Sequence, residues 1–304
     1  MIPQDPSAAA DFHAGFVVLT GAPNAGKSTL LNRMLGEKLA ITSKKPQTTR
    51  NRILGVLHRA KAQLVFMDTP GIHRTRGALN ARIVDMALAA LKEADVVLLV
   101  ADAAKPDDQA ESFLLRQLAQ IQTPIVLALN KIDQMTPDTS LAGIAAWSPR
   151  ADFKHIVPIS ARRGTQVDVL IERLEQLLPA GSPFFPEDTL TDLPERFVVA
   201  ELVREKVFRL TGDEIPYAAA VTIDTFKEPA REGAPIRIQA TIHVERQSQK
   251  GIVIGRGGLK LKQIGQAARE DIEHLLAARV YLELFVRVQP NWRRDTRALR
   301  KFGY

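Results

Sequence analysis

Nine consecutive residues near the start of the chain, Gly21-Ala22-Pro23-Asn24-Ala25-Gly26-Lys27-Ser28-Thr29, have the types and spacing to hold a polyphosphate. Gly-x-x-x-x-Gly-Lys-Ser is the P-loop pattern when it lies between a strand and a helix. Here the apolar run Phe16-Val17-Val18-Leu19 precedes it. A helical pattern, Leu30, Leu31, Met34 and Leu35, follows and stops at Gly36. Successive backbone N–H groups then form an anion-binding concavity, and the helix N-terminus adds partial positive charge. Lys27 is placed to reach the β/γ-phosphates and the Ser28 hydroxyl to face Mg²⁺. The loop by itself does not choose between ATP and GTP.

Three further clusters fall at the ends of apolar runs. Leu64-Val65-Phe66-Met67 leads into Asp68-Thr69-Pro70-Gly71. An acid there can hold Mg²⁺ through water, and the Gly71 N–H can approach a γ-phosphate because no Cβ blocks it. The run 125–129 ends in Asn130-Lys131-Ile132-Asp133. Guanine presents N1–H and N2–H₂ as adjacent donors, which the two oxygens of Asp133 can accept as a pair. Adenine would leave that carboxylate unpaired on desolvation, so the base is guanine. Asn130 and Lys131 brace the base and its loop. The run 156–159 ends in Ser160-Ala161-Arg162, where a backbone N–H can donate to guanine O6. The polar stretch 37–52 is long for a compact domain and carries Thr48 and Thr49. Either can be solvated or can meet Mg²⁺, and Thr49 is the expected ligand. The expected metal set is Ser28, Thr49 and Asp68, and the expected catalytic set Lys27, Thr49 and Gly71.

Those clusters need a scaffold that brings strand ends together. Apolar runs at 16–19, 62–67, 96–100, 125–129 and 156–159 are too short for helices, and helical patterns lie at 79–91, 112–121 and 167–178. Alternation of this kind predicts an α/β domain with a mostly parallel sheet covered by helices, with ligand at the carboxyl ends of the strands. With five motif elements in order, residues 15–180 resemble a translation-factor-type small GTPase domain. In Ras-like enzymes a water-orienting glutamine follows the glycine of the third element. Here that residue is Ile72, whose side chain cannot hold water, so the resemblance implies slow unaided hydrolysis. Asn24 is similar to the asparagine that helps hold K⁺ in cation-activated GTPases, which implies K⁺ dependence; a plain loop hydrogen-bonding role is the alternative.

Composition sets outer limits. The chain has 304 residues, enough for two domains, with 45% hydrophobic and 25% charged residues. It has no cysteine, which excludes disulfides and thiolate zinc sites and points to the cytoplasm. Residues 1–14 form a tail without the basic and apolar regions of a signal peptide, and no stretch has the length and apolarity of a transmembrane helix. Net charge is +7, and residues 246–304 carry 13 Lys+Arg against 5 Asp+Glu. Such a local excess points to a nucleic-acid backbone, an anionic membrane surface or a solvated face.

Residues 181–194, rich in proline and acids, read as a linker or a wrapped connector ahead of a second domain at 195–304. There the pattern predicts a helix over 195–210, strands at 217–226 and 236–244, a long helix after 258, and a strand at 280–288. At its centre stands Ile254-Gly255-Arg256-Gly257-Gly258, followed by Lys260. Gly-x-x-Gly between helices lets a nucleic-acid backbone approach closely, with Arg256 and Lys260 available to phosphates. The aromatic strand signature of another common RNA-binding sheet module is not visible. The basic tail, with Arg293, Arg294, Arg297, Arg300 and Lys301, offers further phosphate contacts or a solvated helix.

This half resembles a KH domain of the type II order, α-β-β-α-α-β. A GTPase domain followed by such a module is similar to the Era family, over about residues 15–300. The resemblance implies a GTP/GDP switch needing Mg²⁺. Its KH domain would bind small-subunit (16S) ribosomal RNA near the 3′ end, and the protein would act as a monomer in maturation of the 30S subunit. Two other readings stand beside it. One is a regulatory GTPase at the inner face of the cell membrane, and the other an RNA-binding module whose nucleotide is a structural ligand.

Overall fold

A computed structural model describes residues 12–42, 53–68, 89–212, 215–229, 231 and 233–302. The chain divides into two compact units, Met1–Ala40 with Pro46–Asp192 and Ile41–Lys45 with Leu193–Tyr304.

The first unit is built on a six-stranded sheet. In chain order it comprises β1 (His13–Thr20), α1 (Lys27–Leu35), β2 (Ile53–Arg59), β3 (Ala62–Asp68), β4 (Val96–Asp102), α2 (Asp108–Leu118), β5 (Ile125–Asn130), α3 (Pro137–Trp147), β6 (Phe153–Ile159) and α4 (Val167–Glu175). The spatial order is β2-β3-β1-β4-β5-β6, parallel throughout except for β2. β3 and β5 are buried along their whole length, as expected of strands covered on both faces.

Two elements differ from the sequence reading. β2 forms a hairpin with β3 in register Ile53↔Asp68 to Arg59↔Ala62. Its turn, Ala60-Lys61, lacks the Gly or Asn that usually marks a two-residue hairpin, so the sequence carries no signal there. α3 is the second addition. Only Trp147 of its residues is buried, so it has no apolar stripe to read. It is started instead by a reciprocal cap between Thr136 and Thr139 and by Pro137 in its first turn.

After α4 the chain runs back along the β2–β3 side of the sheet. The Gln63 side chain accepts from the backbone N–H groups of Phe184 (2.7 Å) and Phe185 (3.0 Å) and donates to the Phe185 carbonyl. The Val56 N–H donates to Leu190 O at 2.8 Å.

The second unit comprises α5 (Glu195–Leu210), a helical turn Ile215–Ala218, β7 (Ala220–Lys227), β8 (Ile236–Val244), α6 (Gln247–Ile254), α7 (Leu259–Leu276), β9 (Val280–Val288) and α8 (Thr296–Lys301). The three-stranded sheet runs β7-β8-β9, with β7 antiparallel and β9 parallel to β8. This is the expected α-β-β-α-α-β order. The strand expected at 217–226 begins only at Ala220, because Tyr217 and Ala218 belong to the helical turn. That turn is held by the buried Trp292 indole, which donates to Ala218 O at 2.9 Å. The core is a single cluster of Val199, Val203 and Val207 of α5, the even-numbered face of β8, and Ile264, Ala268 and Ile272 of α7.

Candidate functional site

The parallel sheet collects the motif-bearing strand ends along one edge. Beyond β1 the chain turns through Gly21, where an added Cβ would lie 2.2 Å from Val100 O on the neighbouring strand. At Gly26 it adopts φ 102°, and an added Cβ would lie 2.3 Å from Asn130 Nδ2. Neither position tolerates a side chain. Ala22 and Ala25 are buried, Pro23 and Thr29 half-buried, and Asn24 is exposed with φ 63°. Lys27 opens α1 and is only 7% exposed. Its amine donates to the carbonyls of Gly21 (3.0 Å) and Ala22 (2.9 Å). Burial pulls the Lys27 ammonium down to about 8, against the opposing pull of the Asp68 carboxylate.

Ser28 Oγ donates to Asp68 Oδ2 at 2.8 Å, joining α1 to the end of β3. Two hard oxygens, a hydroxyl and a fully buried carboxylate, thus stand together beside the phosphate loop. That donor set suits Mg²⁺, which takes one or two protein oxygens and completes its shell with water and phosphate. Among the described residues no cluster of three or more His, Cys, Asp or Glu could hold a metal by itself. Thr48, Thr49, Thr69, Pro70, Gly71 and Ile72 lie outside the described residues.

Asn130, at the end of β5, ties three segments together. Its Nδ2 donates to Ala25 O at 2.8 Å, and its Oδ1 accepts from the N–H groups of Lys131 (2.8 Å) and Ala161 (3.0 Å). The Lys131 amine donates to Asn24 O at 2.8 Å and pairs with Asp102 at the end of β4. Asp133 accepts from Ser160 Oγ at 2.7 Å, which orients its carboxylate. The Ser160 and Ala161 N–H groups are thereby occupied, on Thr165 O and Asn130, so of the three only the Arg162 N–H has no partner among the described residues.

Two contributors carry no motif. Asp102 fixes Lys131 with one oxygen and accepts from the Ala104 and Lys105 N–H groups with the other. Arg33 of α1 donates to the carbonyls of Ala161 (3.3 Å) and Arg162 (2.7 Å). Ser160 acts through its side chain as well as its backbone. The one available signal for Asp102 was its position, a polar residue closing an apolar run like Asp68 and Asn130.

In the second unit Ile254 ends α6, and Arg256–Gly258 form a single tight turn before α7. Gly255, Gly257 and Gly258 all have positive φ, at 71°, 58° and 77°. At Gly255 an added Cβ would lie 2.5 Å from the Lys260 Cβ, whereas around Gly257 and Gly258 there is open space. Arg256 is exposed, and Lys260 half-buried beside the turn. Arg293, Arg294 and Arg297 are exposed, and Arg293 forms an ion pair with Glu245 at 2.5 Å. Two aromatics of β9 are exposed, Tyr281 at 53% and Phe285 at 50%.

Known proteins share this arrangement. Residues 16–131 match the family described as 50S ribosome-binding GTPase, and residues 214–293 match the KH domain family. A GTPase Era from Geotalea uraniireducens (strain Rf4) is 53% identical over 294 residues, spanning 96% of this chain and 98% of the relative. The chain belongs to the Era family of GTPases. A more distant Era GTPase, from Lacticaseibacillus paracasei, is 48% identical over 97% of both chains. Among solved structures, a point variant of Aquifex aeolicus Era bound to GDP and AlF₄⁻ superposes with TM-score 0.91 at 40% identity, covering 96% and 99% of the two chains. An Era complex with MgGDPNP and nucleotides 1506–1542 of 16S ribosomal RNA gives 0.90 at 41% identity over the same shares. Within the Era family, then, this chain is a P-loop GTPase carrying a C-terminal KH domain. No helix among its described residues is long and apolar enough to cross a membrane.

Proposed function

We propose that the first unit binds GTP and hydrolyses it to GDP and phosphate, and that the GRGG turn binds small-subunit ribosomal RNA near its 3′ end. Together they act as a nucleotide-gated factor in assembly of the 30S subunit, in the cytoplasm. The observation that carries this reading is the frame in which Asn130 bonds at once to the phosphate loop and to the loop of Ser160 and Ala161. A chain 41% identical to an Era protein captured with both MgGDPNP and 16S RNA supports the pairing of the two activities.

In this reading the backbone N–H groups of Asn24, Gly26, Lys27 and Ser28 and the Lys27 ammonium donate to the phosphate oxygens. Asp133, oriented by Ser160, accepts the two guanine donors, and Asn130 and Lys131 hold the loops in register. Ser28 and Asp68, with Thr49, would hold Mg²⁺, which neutralises charge on the phosphates when bound. The Ile72 side chain offers no hydrogen bond to water, so unaided turnover is slow. Asn24 contributes to a K⁺ requirement, and equal turnover in Na⁺ and K⁺ buffers would remove that part. Competition binding tests the whole. GTP should displace labelled GDP where ATP does not, and an RNA carrying the small-subunit 3′ end should be retained. Equal competition by ATP, or no retention of RNA, contradicts the reading.

A further inference from the structure

β9 alternates cleanly. Leu282, Leu284, Val286 and Val288 pack against the core of the second unit, while Tyr281, Phe285 and Arg287 point to the other face and are exposed. β9 is an edge of its sheet, and Phe285 lines an open groove of about 520 Å³ with Asp224, Thr241, Gln247, Lys250 and Arg287. Half of a phenylalanine ring left in water costs hydrophobic free energy that a partner would recover.

Charge and continuity indicate which partner. Lys250 and Arg287 make no side-chain ion pair among the described residues, whereas Arg204, Lys206, Arg209 and Arg293 of the same unit are all paired. Lys250 lies on α6, whose far end is the GRGG turn. An eight-residue helix is about 12 Å long, so Lys250 stands within that distance of the turn. Asp224 adds an acceptor, its carboxylate ordered by the Thr222 and Thr241 hydroxyls. An exocyclic amine can donate to it, while Lys250 and Arg287 meet phosphates.

We propose that Phe285 is a stacking platform for an unpaired base of single-stranded RNA, with Asp224 reading the base edge and Lys250 and Arg287 holding the backbone. The site continues the RNA path beyond the GRGG turn and rests on the RNA-binding reading of that turn.

Fluorescence anisotropy with the full chain and single-stranded RNA from the small-subunit 3′ end tests it. F285A should weaken binding roughly 5- to 150-fold, the range for one lost stack. F285Y should restore binding and F285L should not, while R287Q should lower the salt slope by about one. Thermal melting of each variant keeps a folding defect apart from a lost contact. If F285A binds as the parent does while G257D loses RNA, the platform is wrong and the GRGG reading stands. If neither loses RNA, the RNA reading itself fails. Full rescue by F285L would make the contact merely apolar and overturn stacking. Loss of F285A binding to phosphatidylserine vesicles with RNA affinity intact would assign the groove to lipid and overturn the proposal.

Discussion

Lys27 is buried at the mouth of the phosphate loop, and burial alone lowers its affinity for a proton. With a folded value of about 8 against 10.5 for the free side chain, the unfolded chain binds more protons across that interval. The Lys27 contribution to stability without nucleotide therefore rises with pH from about 8 to 10.5. Nucleotide favours the charged form, so the sign reverses for binding. GDP affinity should fall with pH above about 8, approaching tenfold per pH unit, and binding there should take up a proton. Calorimetry in buffers of different ionisation enthalpy checks this, and a flat affinity from about pH 7 to about pH 9.5 would contradict it. At Asp133 the proposed chemistry is a matched pair of donors and acceptors. D133N presents one donor where guanine also has donors, so GTP affinity should drop by about 10- to 100-fold and xanthosine triphosphate should gain. Competition between the two nucleotides reads the exchange.

At the scale of elements, the site depends on side chains that bond loops to each other. Asn130 satisfies Ala25 O and the Lys131 and Ala161 N–H groups from a position only 2% exposed. N130A leaves these groups unpaired and should cost about 2–4 kcal/mol, seen as a lower urea midpoint; a change under about 0.5 kcal/mol would mean the loops hold without it. In the GRGG turn, G255A meets the Lys260 Cβ at 2.5 Å, whereas G257A enters open space. RNA affinity should therefore suffer more from G255A than from G257A, although both bear the strain of positive φ, about 1 kcal/mol. What was legible follows the same division. The central strands were readable because parallel strands buried on both faces are uninterrupted apolar runs. The P-loop, Asn130–Asp133 and GRGG clusters were readable because their glycine and charge spacings are local. β2 escaped because its hairpin turns on Ala60-Lys61, and α3 because a solvated helix has no periodicity to display. Asp102, Arg33 and Phe285 escaped for a third reason: what each one touches or faces is set by the fold, which no short window of sequence contains.

At the scale of the molecule, one chain joins a GTPase to a KH domain, and in the proposed switch each senses the other. If RNA binds the GTP form better than the GDP form, reciprocity requires RNA to tighten GTP relative to GDP. The most direct measurement is GTP turnover by the full chain, with and without RNA carrying the small-subunit 3′ end, beside G257D. At Gly257 a side chain enters open space, so the variant places a carboxylate on the RNA path at a strain cost of about 1 kcal/mol. Turnover should be slow alone, accelerated by RNA, and not accelerated in G257D. Turnover indifferent to RNA in the parent protein would leave two independent activities on one chain and contradict the switch.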